Sequence, residues 1–260
     1  PNQWVRNTAQ RLLIEEANPT SIELVKAKIQ ATDPLATVHA LWILDGLNNL
    51  DPGLLTQVLI DHEANVRVNA LKIIAEKPSF YGDLVPQVLA CTQHPDARVR
   101  LLALLTLSSF PAAIKAAHWD QITTNLVKLL ERRQTDTWQV MALASVARLD
   151  PVSCIQVILN SRILLTDTVV SVLQTLGRMV GKTGNQAAIQ TVLQILPSTR
   201  TSATPMLQAL ADGLEQANDP LRGQPAVPVL LSQLERSHDP AIVLAGARIR
   251  KYLKLPASMA

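Results

Sequence analysis

The stretch Asn2–Glu16, NQWVRNTAQRLLIEE, spaces its apolar residues at helical intervals and sets Arg6 directly after Val5. Relatives of it return along the chain: WVRNTAQRLL from Trp4, TVHALWILDGL from Thr37, NVRVNALKII from Asn65 and RVRLLALLTL from Arg98. Matching Val5, Val38, Val66 and Val99 gives separations of 33, 28 and 33 residues. Self-similarity at such a period is a stronger guide to fold than length, because each unit is too small to bury its own apolar face and must stack on the next. More degenerate units continue the rhythm: DTWQVMALASVARL from Asp136, DTVVSVLQTLGRM from Asp167, ATPMLQALADGL from Ala203 and DPAIVLAGARIRKYL from Asp239.

Shorter helical patterns alternate with these, at Ser21, Gly53, Asp83, Gln121, Ser153, Ala187 and Ala226. Asp-Pro at Asp33, Asp51, Asp150, Asp219 and Asp239 marks helix starts. The Asp oxygen accepts from an orphan N–H, and Pro at the next position lacks an N–H that would have gone unused. No period-two strand pattern competes. The fold expected is all-α: a right-handed α-solenoid of about seven to eight HEAT-like helix pairs, one run over residues 1–260 and a fragment of a longer chain. Second-helix starts are about 39 residues apart across FPAAIKAAHWD, Phe110–Asp120, so a short extra turn is expected there.

The composition suits that fold. Hydrophobic residues make up 48% and aromatics only 3%, so the core must be aliphatic. A net charge of +3 over 260 residues is too mild to point to a polyanion partner, so no nucleic acid is expected. No apolar run reaches the roughly 18–20 residues that span a bilayer, and no membrane insertion is expected.

The search for chemistry yields little that converges. Cys91 and Cys154 lie 63 residues apart, about two repeats, and read as buried thiols rather than a disulfide. His39, His62, His94, His118 and His238 are spread along the chain without i, i+4 pairing, so no metal site is expected. Gly177, Gly181 and Gly184 read as a helix end and turn. Arg132-Arg133 and Arg248–Lys251 read as solvated helix ends. Of the four Trp residues, Trp42 reads as packing between repeats, with exposure on an inner surface as the alternative. No catalytic residue is assigned.

The Val-Arg-x-x-Ala pattern at Val5, Val66 and Val99 resembles the second helix of HEAT repeats. That resemblance implies an inter-repeat ladder. Arg6, Arg67 and Arg100 would satisfy carbonyls or a carboxylate of the adjacent repeat, with Asp61 and Asp96 as partners. His39 stands where the second unit should carry its Arg, so His39 and Trp42 are the candidates for an interaction surface. HEAT-like deoxyhypusine hydroxylases bind iron through repeated His-Glu pairs, whereas His62-Glu63 occurs once. HEAT-like DNA glycosylases need a clustered basic face, whereas the basic residues here are scattered.

Over Trp4–Asp51 the chain also resembles the helical segment of exported haem-binding proteins of the planctomycete type, the membrane-bound dehydrogenase-like proteins. That resemblance implies a periplasmic or exported location. It also implies flanking modules of the same polypeptide as partners: a β-propeller on one side and a cytochrome c domain on the other. Haem c would belong to the flanking module, because these 260 residues contain no Cys-x-x-Cys-His. The expected function is a non-catalytic interaction or spacer segment. The alternatives are a free-standing scaffold that grips a protein along its concave face, and a nucleic-acid-binding enzyme.

Overall fold

A computed structural model describes residues 2–29, 33–61, 63–132, 136–161, 163–196, 203–217, 226–237 and 239–252, and every regular element among them is helical. The chain forms two compact units, Pro1–Asn125 and Leu126–Ala260. Unit 1 contains α1 (Gln3–Glu16), α2 (Pro19–Ile29), α3 (Pro34–Gly46), α4 (Pro52–Asp61), α5 (Ala64–Glu76), α6 (Val85–Cys91), α7 (Ala97–Ser109) and α8 (Ala112–Ala117). The division falls within α9 (Trp119–Glu131), and α10 (Thr137–Ala147), α11 (Pro151–Asn160), α12 (Asp167–Thr183), α13 (Gln186–Ile195), α14 (Ala203–Glu215), α15 (Ala226–Glu235) and α16 (Pro240–Tyr252) follow. The architecture is therefore all-helical and repeat-like, and each apolar-periodic segment of the sequence forms a helix. The six-residue α8 occupies the stretch where the wider spacing predicts an extra turn.

The helix starts follow from the chemistry of their caps. Asp33 accepts the Leu35 N–H at 3.0 Å, Asp51 that of Leu54 at 3.1 Å, Asp150 that of Ser153 at 3.0 Å and Asp239 that of Ala241 at 2.8 Å. Asp219 lies outside the described residues. In unit 1 the helices α1, α3, α5 and α7 pack in succession, while α2 lies on α3, α4 on α5 and α6 on α7. Leu41, Leu44, Leu55, Leu71, Ile74 and Leu104 fill the seams, fully buried. Each contributes about 1.5–3 kcal/mol relative to exposure.

Hydrogen bonds then register one pair on the next. The Tyr81 hydroxyl donates to the Leu50 carbonyl at 3.3 Å, Lys77 Nζ to the Asp45 carboxylate at 2.6 Å, and the Thr106 hydroxyl to the Leu71 carbonyl at 3.0 Å. These partners are 31, 32 and 35 residues apart, which is the repeat period itself.

In unit 2 the row α10, α12, α14 and α16 packs in succession, with α11, α13 and α15 forming a second row. The α12/α14 crossing corrects the glycine reading. Gly177 sits buried inside α12 and Gly181 buried in its last turn, both against α14. A Cβ on Gly181 would stand 2.3 Å from the Leu210 carbonyl oxygen of α14, and one on Gly213 would stand 2.3 Å from that of Arg178. Only hydrogen fits between the two backbones. Gly184 alone closes the helix, with φ 63° and its N–H donated to the Gly181 carbonyl.

The reading of Arg248–Lys251 as a solvated end holds for exposed Lys251 and is corrected for the two arginines. Arg248 donates to Asp212 at 2.8 Å and Glu215 at 2.9 Å, tying α16 to α14, and buried Arg250 holds both oxygens of Glu235 at 2.7 and 2.9 Å. Carboxylates of α14 and α15 pair these cations, leaving Arg248 partly exposed and Arg250 buried. Arg133 lies outside the described residues.

Candidate functional site

The first three helices of unit 1 line a concavity. Asn2 caps α1 by accepting the Val5 N–H at 3.0 Å, and Asp33 and Pro34 start α3. The helices α1 and α2 flank α3, leaving a groove of about 570 Å³. Its floor is Val25, Ala40 and Ile43, and its walls are Ala9 and Leu13 on one side and Leu24 on the other. Volume and apolar lining fall within the range of ligand and peptide sites. Arg6 and Lys28 stand at its edge, and the Asp33 carboxylate is already bonded to the α3 terminus.

His39, a sequence-derived candidate, lies in this groove. Its Nδ1–H donates to Gln10 Oε1 at 2.7 Å and ties α3 to α1. Burial, and then the nearby Arg6 charge, lower its pKa from the ordinary value of 6.5, so the ring is neutral at pH 7. Trp42 is turned the other way: its indole N–H donates to Asn69 Oδ1 of α5 at 3.0 Å, and the half-buried ring links two repeats. The structure thus brings Arg6 and His39 together and places Trp42 in an inter-repeat seam.

The other two arginines of the expected ladder bond to backbone carbonyls that precede their own helices. Arg67 donates to the Ile60 carbonyl at the end of α4. Buried Arg100 donates to the His94 and Pro95 carbonyls at 2.9 and 2.7 Å, just after α6. Arg67 therefore holds the C-terminal end of α4, and Arg100 the loop that leads from α6 into α7. Asp96 engages Arg98: it accepts that residue's N–H at 2.8 Å and its guanidinium at 2.8 Å, which holds the carboxyl at about 2. Arg98 in turn reaches Asn65 of the preceding pair at 3.1 Å. The Asp61 side chain, His62 and His238 lie outside the described residues.

Cys91 and Cys154 are buried thiols. Burial pushes the first to about 11, against the opposing Arg67 charge, and the second to about 12, with Asp150 adding to the rise. Neither is a reactive thiolate at neutral pH. Among the described residues no three His, Cys, Asp or Glu side chains converge on a metal position, and no single helix is long and apolar enough to cross a membrane.

Sequence reasoning missed the Asp45–Lys77 pair. The signal was there: an acidic residue inside the apolar run WILDGL, with a Lys one repeat later. It also missed Asp212, whose role depends on the α12/α14/α16 crossing.

No family model matches the chain, and no curated protein matches it. Among solved structures, one of an engineered protein is similar over 90% of this chain and 96% of its own, at 16% identity and a TM-score of 0.44.

Proposed function

We propose that this chain is a non-catalytic interaction segment, a right-handed HEAT-like solenoid of seven to eight helix pairs that holds or grips other protein. The observation that carries this reading is the division of labour among side chains. Polar groups across the described helices cap helix ends and register neighbouring pairs, as in Tyr81–Leu50 and Arg248–Glu215, while a sizeable apolar groove over α3 stays open. An arrangement of that kind supplies stiffness and surface. Through the resemblance over Trp4–Asp51, the first partners are flanking modules of an exported haem-linked oxidoreductase, with the haem in the flanking cytochrome. The groove favours a second reading, a scaffold that binds a separate protein.

The coding sequence on either side tests the first reading. A propeller before and a Cys-x-x-Cys-His module after are expected, and unrelated neighbours would refute it. The purified 260 residues should show no Soret band. A stoichiometric haem in them would remove the non-catalytic assignment.

A further inference from the structure

Helices α3 and α5 are neighbours in the row of unit 1, as α10 and α12 are in that of unit 2. In both pairs a cavity opens where the two helices end. The one in unit 1 is small, about 230 Å³, and its lining includes Asp45 and Lys77, paired at 2.6 Å. The one in unit 2 is about 700 Å³. Its cations are Arg148, which caps the end of α10, and Lys182, in the last turn of α12.

The two cavities differ by an exchange of charge. Asp33 caps α3 and Asp136 caps α10, and twelve residues beyond these caps stand Asp45 and Arg148. The alignment is supported by packing, because Leu41 and Leu44 of α3 then match Ala144 and Ala147 of α10, all buried. Where unit 1 sets an acid against a base, unit 2 sets two bases. A cation at a helix C-terminus complements the dipole there. Lys77 has that benefit and a carboxylate as well, whereas among the described residues neither Arg148 nor Lys182 forms an ion pair or a side-chain hydrogen bond. Asp150 also lines the cavity, but its carboxylate is engaged at the start of α11, where it accepts the Ser153 N–H at 3.0 Å. The rest of the lining is mostly apolar and includes Leu149, Val152 and Met179.

We propose that this cavity binds a small organic anion, a carboxylate carried on an apolar body, with Arg148 and Lys182 holding the carboxylate and Leu149, Val152 and Met179 covering the body. The ligand brings from outside the negative charge that Asp45 provides in unit 1. The planar guanidinium matches a carboxylate with two parallel N–H donors, and the ammonium adds a second point of attraction. The volume lies within the range of small-molecule sites. A bare inorganic ion would leave the apolar lining against water, so the lining selects an organic acid. The site goes beyond the interaction reading above and does not depend on it.

The probe is 4-phenylbutyrate, titrated into the full 260-residue chain at about 0.1 M salt and followed by saturation-transfer NMR. Saturable binding with a dissociation constant of about 0.1–1 mM is expected for an acid of this size. The neutral amide of the same acid should bind about tenfold more weakly or worse. Arg148→Asp, which gives unit 2 the acid that unit 1 has, should weaken the acid by a similar factor, and Lys182→Ala severalfold; both positions are exposed, so circular dichroism should show an unchanged fold. Arg178→Ala removes the same charge from a cation of α12 that lies 3.8 Å from Asp212 outside the cavity, and should bind as the parent does. The proposal is overturned by absence of saturation up to about 10 mM, by equal binding of the amide, by equal binding to Arg148→Asp, or by a loss in Arg178→Ala as large as that in Lys182→Ala. None of these outcomes touches the flanking-module test.

Discussion

Gly181→Ala adds one methyl group to a helix, where alanine's better propensity should stabilise by about 1 kcal/mol. In α12 the sign reverses. The new Cβ would stand 2.3 Å from the Leu210 carbonyl oxygen, 2.8 Å from the Leu214 nitrogen and 3.0 Å from the Gly213 carbonyl carbon. All three are backbone atoms of α14, so no rotamer change relieves the clash. The helices must part by about 1 Å, and a gap of that size forfeits a quarter to a half of each dispersion contact across the seam. Leu176, Val180, Leu210 and Leu214, all buried, lose part of their packing. Overpacking in a close-packed core costs about 1–3 kcal/mol. Because both sides are rigid, the upper end applies, and after the propensity gain a net loss of about 2 kcal/mol is expected.

Gly246→Ala supplies the control. Its Cβ would find Glu235 Cγ at 3.4 Å, an ordinary contact, so this variant should be neutral or gain about 0.5–1 kcal/mol. Urea unfolding followed by circular dichroism measures both. Gly213→Ala should resemble Gly181→Ala, and the double variant should cost less than the sum, since one separation of the helices accommodates both methyl groups. A Gly181→Ala midpoint at or above that of the parent, or one above that of Gly246→Ala, would refute the close-crossing argument.

Arg100→Ala leaves the His94 and Pro95 carbonyls short of a buried donor and should lower stability by about 1–3 kcal/mol, whereas Arg98→Ala removes a mostly exposed pair with Asp96 and should cost less. Urea midpoints for the two variants, if equal, reject that ordering. Lys77→Ala strands the nearly buried Asp45 carboxylate and should cost about 1–3 kcal/mol; restoration of most of it by Asp45→Asn in the same chain, in thermal melts, is the check. Cys91 and Cys154 are held protonated to about 11 and 12 from an ordinary 9.0, so the unfolded chain loses these protons first as pH rises. Their stabilising contribution is complete below pH 9 and fades as pH climbs toward 11–12. Urea midpoints should therefore fall from pH 8 to pH 11, and less steeply in Cys91→Ala/Cys154→Ala; identical slopes would count against the burial account.

Helices and their order could be read from periodicity because each unit repeats the same apolar spacing, and because Asp-Pro marks a start whatever the helix later packs against. Position within the seams could not be read that way. Gly177 and Gly181 look the same in sequence whether they end a helix or sit at a close crossing, since the difference lies in α14, some thirty residues downstream. The same holds for Arg248 and Arg250, which a one-dimensional reading leaves to solvent and which Asp212, Glu215 and Glu235 draw inward.

The groove over α3 is a harder case, because its evidence is a contrast between exposures. Val5 and Val66 occupy the same place in the same pattern, and periodicity assigns both to a covered face. Packing separates them: α5 lies against α3, α4 and α7, whereas α1 lies against α3. A repeat protein uses one sequence pattern for every interface along its row, so the pattern reports which face of a helix is suited to packing, and the neighbours decide how deeply that face is buried. The departures of α1 from α5 fit its own setting: Gln10, where α5 has Leu71, accepts from His39 and ties α1 to α3.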